Sequence, residues 1–121
     1  FYRLVRKETG ILMQGGKPIG GKFSFDTENR KRWTGSPPPP VEPIFQSDPI
    51  KDEVGELIET RFAQHPGKLD LAHLPTTAED AETLWQWAKQ EALPHFGPFE
   101  DAMSRSSRTL FHTRLSALIN I

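Results

Sequence analysis

The run Ser36-Pro-Pro-Pro-Pro-Val-Glu-Pro43 sets the hardest limit on how this chain can fold. Successive prolines fix φ and carry no backbone N–H, so the stretch can enter neither a helix interior nor a sheet. It is read as a stiff polyproline II linker over residues 35–46, dividing a 1–34 segment from a 47–121 segment. The same geometry suits a ligand for SH3 or WW domains, but the linker is the reading we favour.

Beyond the linker the pattern turns helical. Asp48-Pro49 offers an N-cap followed by proline at the first helical position. Ile50, Val54, Leu57, Ile58 and Phe62 then form an amphipathic stripe that Pro66-Gly67 ends, predicting a helix over 48–64. Thr76-x-x-Glu79 matches a capping box and opens a second predicted helix over 77–92. Ala81, Leu84, Trp85, Ala88 and Ala92 line its buried face, and Pro94 with Gly97-Pro98 ends it. Before the linker, residues 1–13 predict a short helix that Thr9-Gly10 interrupts. Residues 14–21 predict a glycine-rich loop, and Phe23-Ser-Phe25 a brief extended segment.

Composition narrows the function classes. Eleven prolines, 36% hydrophobic residues and a mean hydropathy of −0.56 are lean for a self-sufficient core. Phe1 opens a helical stretch without a cap and Ile121 ends another without a stop signal, so we read the chain as a piece of a longer protein. A net charge of −1 excludes a strongly basic nucleic-acid module by bulk charge, though a local patch is enough for DNA contact. Zero cysteines exclude disulfides and thiolate clusters in this stretch. With no apolar run of membrane length and no signal sequence, the expectation is a cytoplasmic protein with no membrane partner.

Few residues announce chemistry alone. His65, His73, His95 and His112 lack the i, i+4 pairing of a helical zinc site, and each is read as structural or exposed. Arg30-Lys31-Arg32 before Trp33 could grip a nucleic-acid backbone, but solvated residues with Arg30 in an internal ion pair are the favoured reading. Trp85 and Trp87 are assigned to packing, Trp85 in the core and Trp87 near the stripe's edge. The glycine pairs fit neither dinucleotide-binding nor P-loop patterns, and no catalytic residue is assigned. The final twelve residues say more. With Thr113 as N-cap, Ser116 falls at N3, and both hydroxyls flank the free amides of a first helical turn, a natural place for a phosphate. Phe111, Leu115, Leu118 and Ile119 would anchor that helix on one face. Taken locally, the ordinary reading is a buried helix whose threonine is only a cap.

A set of ordered strings runs through almost the whole chain. They are Phe1-Tyr-Arg-x-x-Arg6, Thr9-Gly-Ile-Leu-Met13, Gly20-Gly-Lys-Phe-Ser-Phe-Asp26, Glu28-Asn-Arg-Lys31, Leu74-Pro-Thr-Thr77, Leu93-Pro-His-Phe-Gly97, Asp101-Ala-Met103 and Phe111-His-Thr-Arg-Leu-Ser116. In order and spacing they resemble the bacterial photolyase-related proteins of the photolyase/cryptochrome superfamily, which carry an iron–sulfur cluster and include (6-4) photolyases. The resemblance implies a mainly α chain: residues 1–34 ending an α/β antenna-type domain, 35–46 linking, and 47–121 starting an all-helical FAD-binding domain. It places FAD's pyrophosphate at Thr113, Arg114, Leu115 and Ser116, by likeness to the superfamily's Ser-x-Leu-Ser; His112 stands where the superfamily usually has Thr.

For the intact protein it implies a DNA photolyase, a carbon–carbon lyase acting on UV-damaged DNA. It would hold FAD, a 4Fe-4S cluster and an antenna chromophore, the last two sited outside this chain. The isolated chain is expected to be inactive and to self-associate through exposed apolar helix faces. A cryptochrome-like blue-light photoreceptor and a non-enzymatic helical interaction module remain open alternatives.

Overall fold

The structure, a computed structural model, describes residues 1–120, with side chains as far as Leu118. It is mainly helical, and two short strands form the one sheet among the described residues. Helix α1 spans Tyr2–Thr9 and stops at Gly10, whose φ of 72° turns the chain while its N–H donates to the Arg6 carbonyl. The helix thus ends earlier than the predicted 1–13. The expected loop at 14–21 contains a tight hairpin, β1 (Met13–Gln14) antiparallel to β2 (Lys17–Pro18). Gly15 and Gly16, at φ 56° and 73°, supply the two left-handed residues such a turn needs.

Phe23-Ser-Phe25 is not a strand. The Arg6 guanidinium takes the Phe23 carbonyl at 3.0 Å, and a 3-10 turn at Asp26–Glu28 follows. Arg6 is 4% exposed, and its guanidinium carbon lies 5.6 Å from the ring centres of both Tyr2 and Phe23.

Residues 30–48 form neither helix nor strand, as the prolines dictate. The segment is nonetheless tied down. Trp33 Nε1 donates to the Pro37 carbonyl at 2.8 Å, and the buried Phe45 donates its N–H to the Ala72 carbonyl at 2.8 Å. Upstream, Asn29 Nδ2 donates to Glu100 at 2.6 Å and the Lys31 amide to the Pro98 carbonyl at 2.9 Å.

Helix α2 spans Pro49–Arg61 under the predicted Asp48 cap, which accepts from the Ile50 and Lys51 amides. The stripe does not face inward: Ile50, Val54, Leu57 and Phe62 are exposed, and Ile58 is half-buried. The inward face is Lys51, Gly55 and Ile58 instead. Lys51 is 3% exposed, its Nζ donating to the Gln46 carbonyl at 2.9 Å over the Phe45 ring. Gly55 faces Leu71, whose Cδ1 would lie in van der Waals contact, at 3.4 Å, with a Cβ at that position.

Helix α3 spans Ala78–Trp87. Its capping box is Thr77 with Asp80, one residue later than the predicted Thr76 and Glu79. Thr76 is engaged elsewhere, its hydroxyl donating to the Asp48 carboxylate that caps α2, so both helix starts share one polar node. Pro94 does not end the helical path. A π turn at Ala88–Ala92 leads into α4 (Leu93–Phe96), and a 3-10 turn follows at Gly97–Phe99. Pro94 falls in the first turn of α4, where a missing N–H costs least.

Leu84, Ala88 and Ala92 are fully buried along one face, and Phe45, Leu110 and Phe111 are the other buried apolar side chains among the described residues. Burial of a side chain the size of Leu84 or Phe111 contributes about 1.5–3 kcal/mol. Contrary to expectation, Trp85 is exposed, with the Lys89 ammonium 5.0 Å above its ring. Trp87 is half-buried and donates Nε1 to the Val41 carbonyl at 2.8 Å. Among the described residues no helix is long and apolar enough to cross a membrane.

Candidate functional site

The segment carrying Thr113, Arg114, Leu115 and Ser116 is held from below by aromatic packing. Phe111 is 1% exposed, with its ring centre 5.3 Å from Phe99 and 5.4 Å from His95. His112 sets its ring edge to face on Phe96 at 5.9 Å. Ser107 Oγ accepts from the Leu110 amide at 2.9 Å, and the Thr109 carbonyl from the His112 amide at 2.8 Å. Leu110 and Arg114 have φ of 44° and 58°, left-handed values that cost a non-glycine residue of order 1 kcal/mol or more. Strain of that kind persists only where the surroundings fix it, and the buried Leu110-Phe111 pair does so here.

The helix expected from Thr113 is a 3-10 helix over Leu115–Asn120. Arg114 therefore precedes the first helical residue and its carbonyl accepts from the Ala117 amide, leaving Thr113 one position outside the cap. The left-handed turn at Arg114 is the physical cause of the shift. Of the predicted anchoring face, Phe111 is buried and Leu115 and Leu118 are half-buried; the side chain of Ile119 lies outside the described residues.

Among the described residues, nothing accepts from the amides of Thr113, Arg114, Leu115 and Ser116, and neither the Thr113 nor the Ser116 hydroxyl has a partner. Thr113 is half-buried and Ser116 exposed. The Arg114 side chain points elsewhere: its Nη1 pairs with Glu42 Oε2, and Thr109 Oγ1 donates to Glu42 Oε1 at 2.7 Å. That carboxylate in the proline segment had no signal in the sequence beyond being an acidic residue among prolines. A hollow of about 310 Å³ adjoins the turn between Ser104, Arg108, Thr109 and His112.

The other candidates have local roles. Arg30 pairs with Asp26 at 3.2 Å, the internal ion pair expected of it, while the Lys31 and Arg32 side chains are exposed. His73 Nδ1 meets the Pro43 carbonyl at 2.8 Å, and His65 packs edge to face with Phe62. Among the described residues no group of three or more His, Asp or Glu side chains could hold a metal ion.

Residues 1–74 match the family described as deoxyribodipyrimidine photo-lyase-related protein. Over 120 residues, 99% of the chain, the sequence is 38% identical to the (6-4) photolyase of Agrobacterium fabrum (strain C58), covering 24% of that protein. A shorter stretch of 31 residues, 26% of the chain, is 58% identical to uncharacterized protein R852 of Acanthamoeba polyphaga mimivirus, covering 16% of it. The chain thus spans about a quarter or less of the length of these relatives. A family match over more than half of the residues, joined to likeness along nearly the entire chain, places the protein: it belongs to the deoxyribodipyrimidine photo-lyase-related family.

Proposed function

We propose that the intact protein is a light-dependent flavoprotein that repairs UV photoproducts in DNA in the manner of a (6-4) photolyase, and that this chain supplies part of its FAD pyrophosphate site. The observation that carries the reading is the 38% identity to a (6-4) photolyase across 99% of the chain. In the same reading, residues 1–34 close an α/β antenna-type domain, 35–46 link, and 47–121 begin the helical FAD-binding domain. A 4Fe-4S cluster and an antenna chromophore would be held by other parts of the protein.

FAD, when bound and reduced, supplies the electron that the lesion needs, and the protein's own task is placement and electrostatics. Thr113 and Ser116 would each donate a hydroxyl hydrogen bond to the pyrophosphate, and the amides around Arg114 and Leu115 would add neutral donors. Arg114 contributes through its backbone, because its guanidinium is engaged by Glu42. A damaged base must leave the stack to reach a buried cofactor, which damaged DNA allows at reduced cost.

Removing both hydroxyls, Thr113→Val with Ser116→Ala, deletes two anion-directed hydrogen bonds worth about 1.5–3 kcal/mol each. Allowing for replacement by water, flavin occupancy of the purified full-length protein should fall at least about tenfold. Full flavin retention with an unchanged circular dichroism spectrum would remove Thr113 and Ser116 from the site.

A further inference from the structure

Glu42 lies in the proline segment, 67 residues before Thr109 and 72 before Arg114, yet its carboxylate engages both. We propose that Glu42 is the positioning residue of the phosphate turn: it fixes the backbone that presents Thr113 and Ser116 and withholds the Arg114 charge from the anion. The inference rests on the reading of that turn as part of the FAD pyrophosphate site.

The two residues are placed to act together. The side chains of Arg114 and Glu42 are 22% and 19% exposed, so the pair is shielded from much of the screening that weakens surface ion pairs. One carboxylate oxygen receives Arg114 and the other receives Thr109. These partners bracket the segment that includes the left-handed residues Leu110 and Arg114. A single acidic side chain therefore closes the turn at both ends.

Glu42 is itself braced. The Val41 carbonyl before it accepts from Trp87 Nε1, and the Pro43 carbonyl after it is bonded by His73 Nδ1. Prolines at 37–40 and 43 restrict the backbone on either side, so little conformational freedom remains to be lost when the carboxylate binds. The proline segment thus does more than separate two parts of the chain; it delivers a fixed acceptor to the turn. With Arg114 occupied, the donors left for a diphosphate are hydroxyls and amides, whose directions are set by the backbone.

The test uses the full-length protein in its flavin-free and FAD-loaded forms, with hydrogen exchange of the flavin-free form as the readout independent of activity. For Glu42→Ala, the hydrogen-bonded amides of Leu110, His112 and Ala117 should exchange at least about tenfold faster while those of Ala78–Trp87 hold their rates. Glu42→Gln keeps one carbonyl acceptor for Arg114 and can donate its amide N–H to the Thr109 oxygen, so it should recover part of that loss. Arg114→Ala, made in case Glu42→Ala does not fold, should speed the same amides, and combining it with Glu42→Ala should add little. Unchanged exchange in Glu42→Ala or Arg114→Ala overturns the proposal, even if Thr113→Val with Ser116→Ala loses flavin. Fast exchange in the Glu42 variant beside full flavin retention by that double variant supports Glu42 as a brace and instead sinks the pyrophosphate reading.

Discussion

Replacing Arg6 by Met should loosen the hairpin and the loop after it while leaving the helices of the second half intact. Arg6 is buried, and no carboxylate pairs with it among the described residues. Its guanidinium donates to the Phe23 and Leu12 carbonyls, with a longer 3.5 Å contact to Lys22, while Nε has no partner. Two charge-assisted hydrogen bonds are worth about 1.5–3 kcal/mol each, a gross sum of roughly 3–6 kcal/mol. Two effects reduce it: the exposed Leu12 carbonyl can be rehydrated, and the native state already bears the cost of a buried cation with one unsatisfied donor.

Met conserves much of the aliphatic contact with Tyr2 and Phe23, so the net local loss should be about 2–4 kcal/mol. The Ile19 amide, bonded to the Leu12 carbonyl at 2.9 Å, reports it directly. Its hydrogen exchange should accelerate by about 30-fold to 1,000-fold, at 1.4 kcal/mol per factor of ten. Exchange at Ile19 within about threefold of the parent would refute the assignment of Arg6 as the pin of this region.

Three further outcomes are expected. The Asp48 carboxyl is held below the ordinary carboxylate range, first by the Thr76 hydroxyl and then by the Lys51 amide. A depressed folded-state pKa gives stability that is complete above the unfolded value and is lost as pH falls through the folded one. Acid unfolding should therefore show an Asp48-dependent loss below about pH 4, and Asp48→Asn, which keeps the cap, should flatten that limb in urea titrations at several pH values. The 121-residue chain alone should retain no stoichiometric FAD and repair no lesion. The hollow next to the turn is lined by residues between Ala102 and His112 and by none of Thr113–Ser116, so a flavin there needs walls from elsewhere. The exposed Ile50, Val54 and Leu57 of that chain should make its gel-filtration volume depend on concentration.

Local backbone chemistry was the legible part of the sequence. Asp48-Pro49 and the threonines before Ala78 located both long helices to within a few residues, because caps and prolines act through the nearest backbone groups. What failed depended on distant partners. Thr76 and Thr77 offer capping registers one residue apart, and the choice was made by Asp48, 28 positions away. The α2 stripe misled because hydropathy scores Lys51 and Gly55 as outward, whereas a carbonyl at Gln46 and the side chain of Leu71 make them the contact face. Trp85 misled in the opposite sense: it falls on the helical stripe, yet it lies at the surface beneath Lys89. At the site, the hydroxyl spacing was visible, but the left-handed Arg114 that shifts the first turn and the Glu42 carboxylate that holds it were not. A long-range ion pair leaves no trace in spacing.

Light-dependent repair by the intact protein can be assayed on a defined lesion. The full-length protein, flavin-reduced, is mixed with an oligonucleotide carrying a single (6-4) photoproduct, and the lesion is quantified after blue illumination and after an equal time in darkness. The lesion should disappear in the light and persist in the dark, with many lesions repaired per protein. Bound flavin with no loss of lesion in the light would contradict light-dependent repair and point to a photoreceptor; absence of flavin would contradict it more deeply, leaving a helical interaction module.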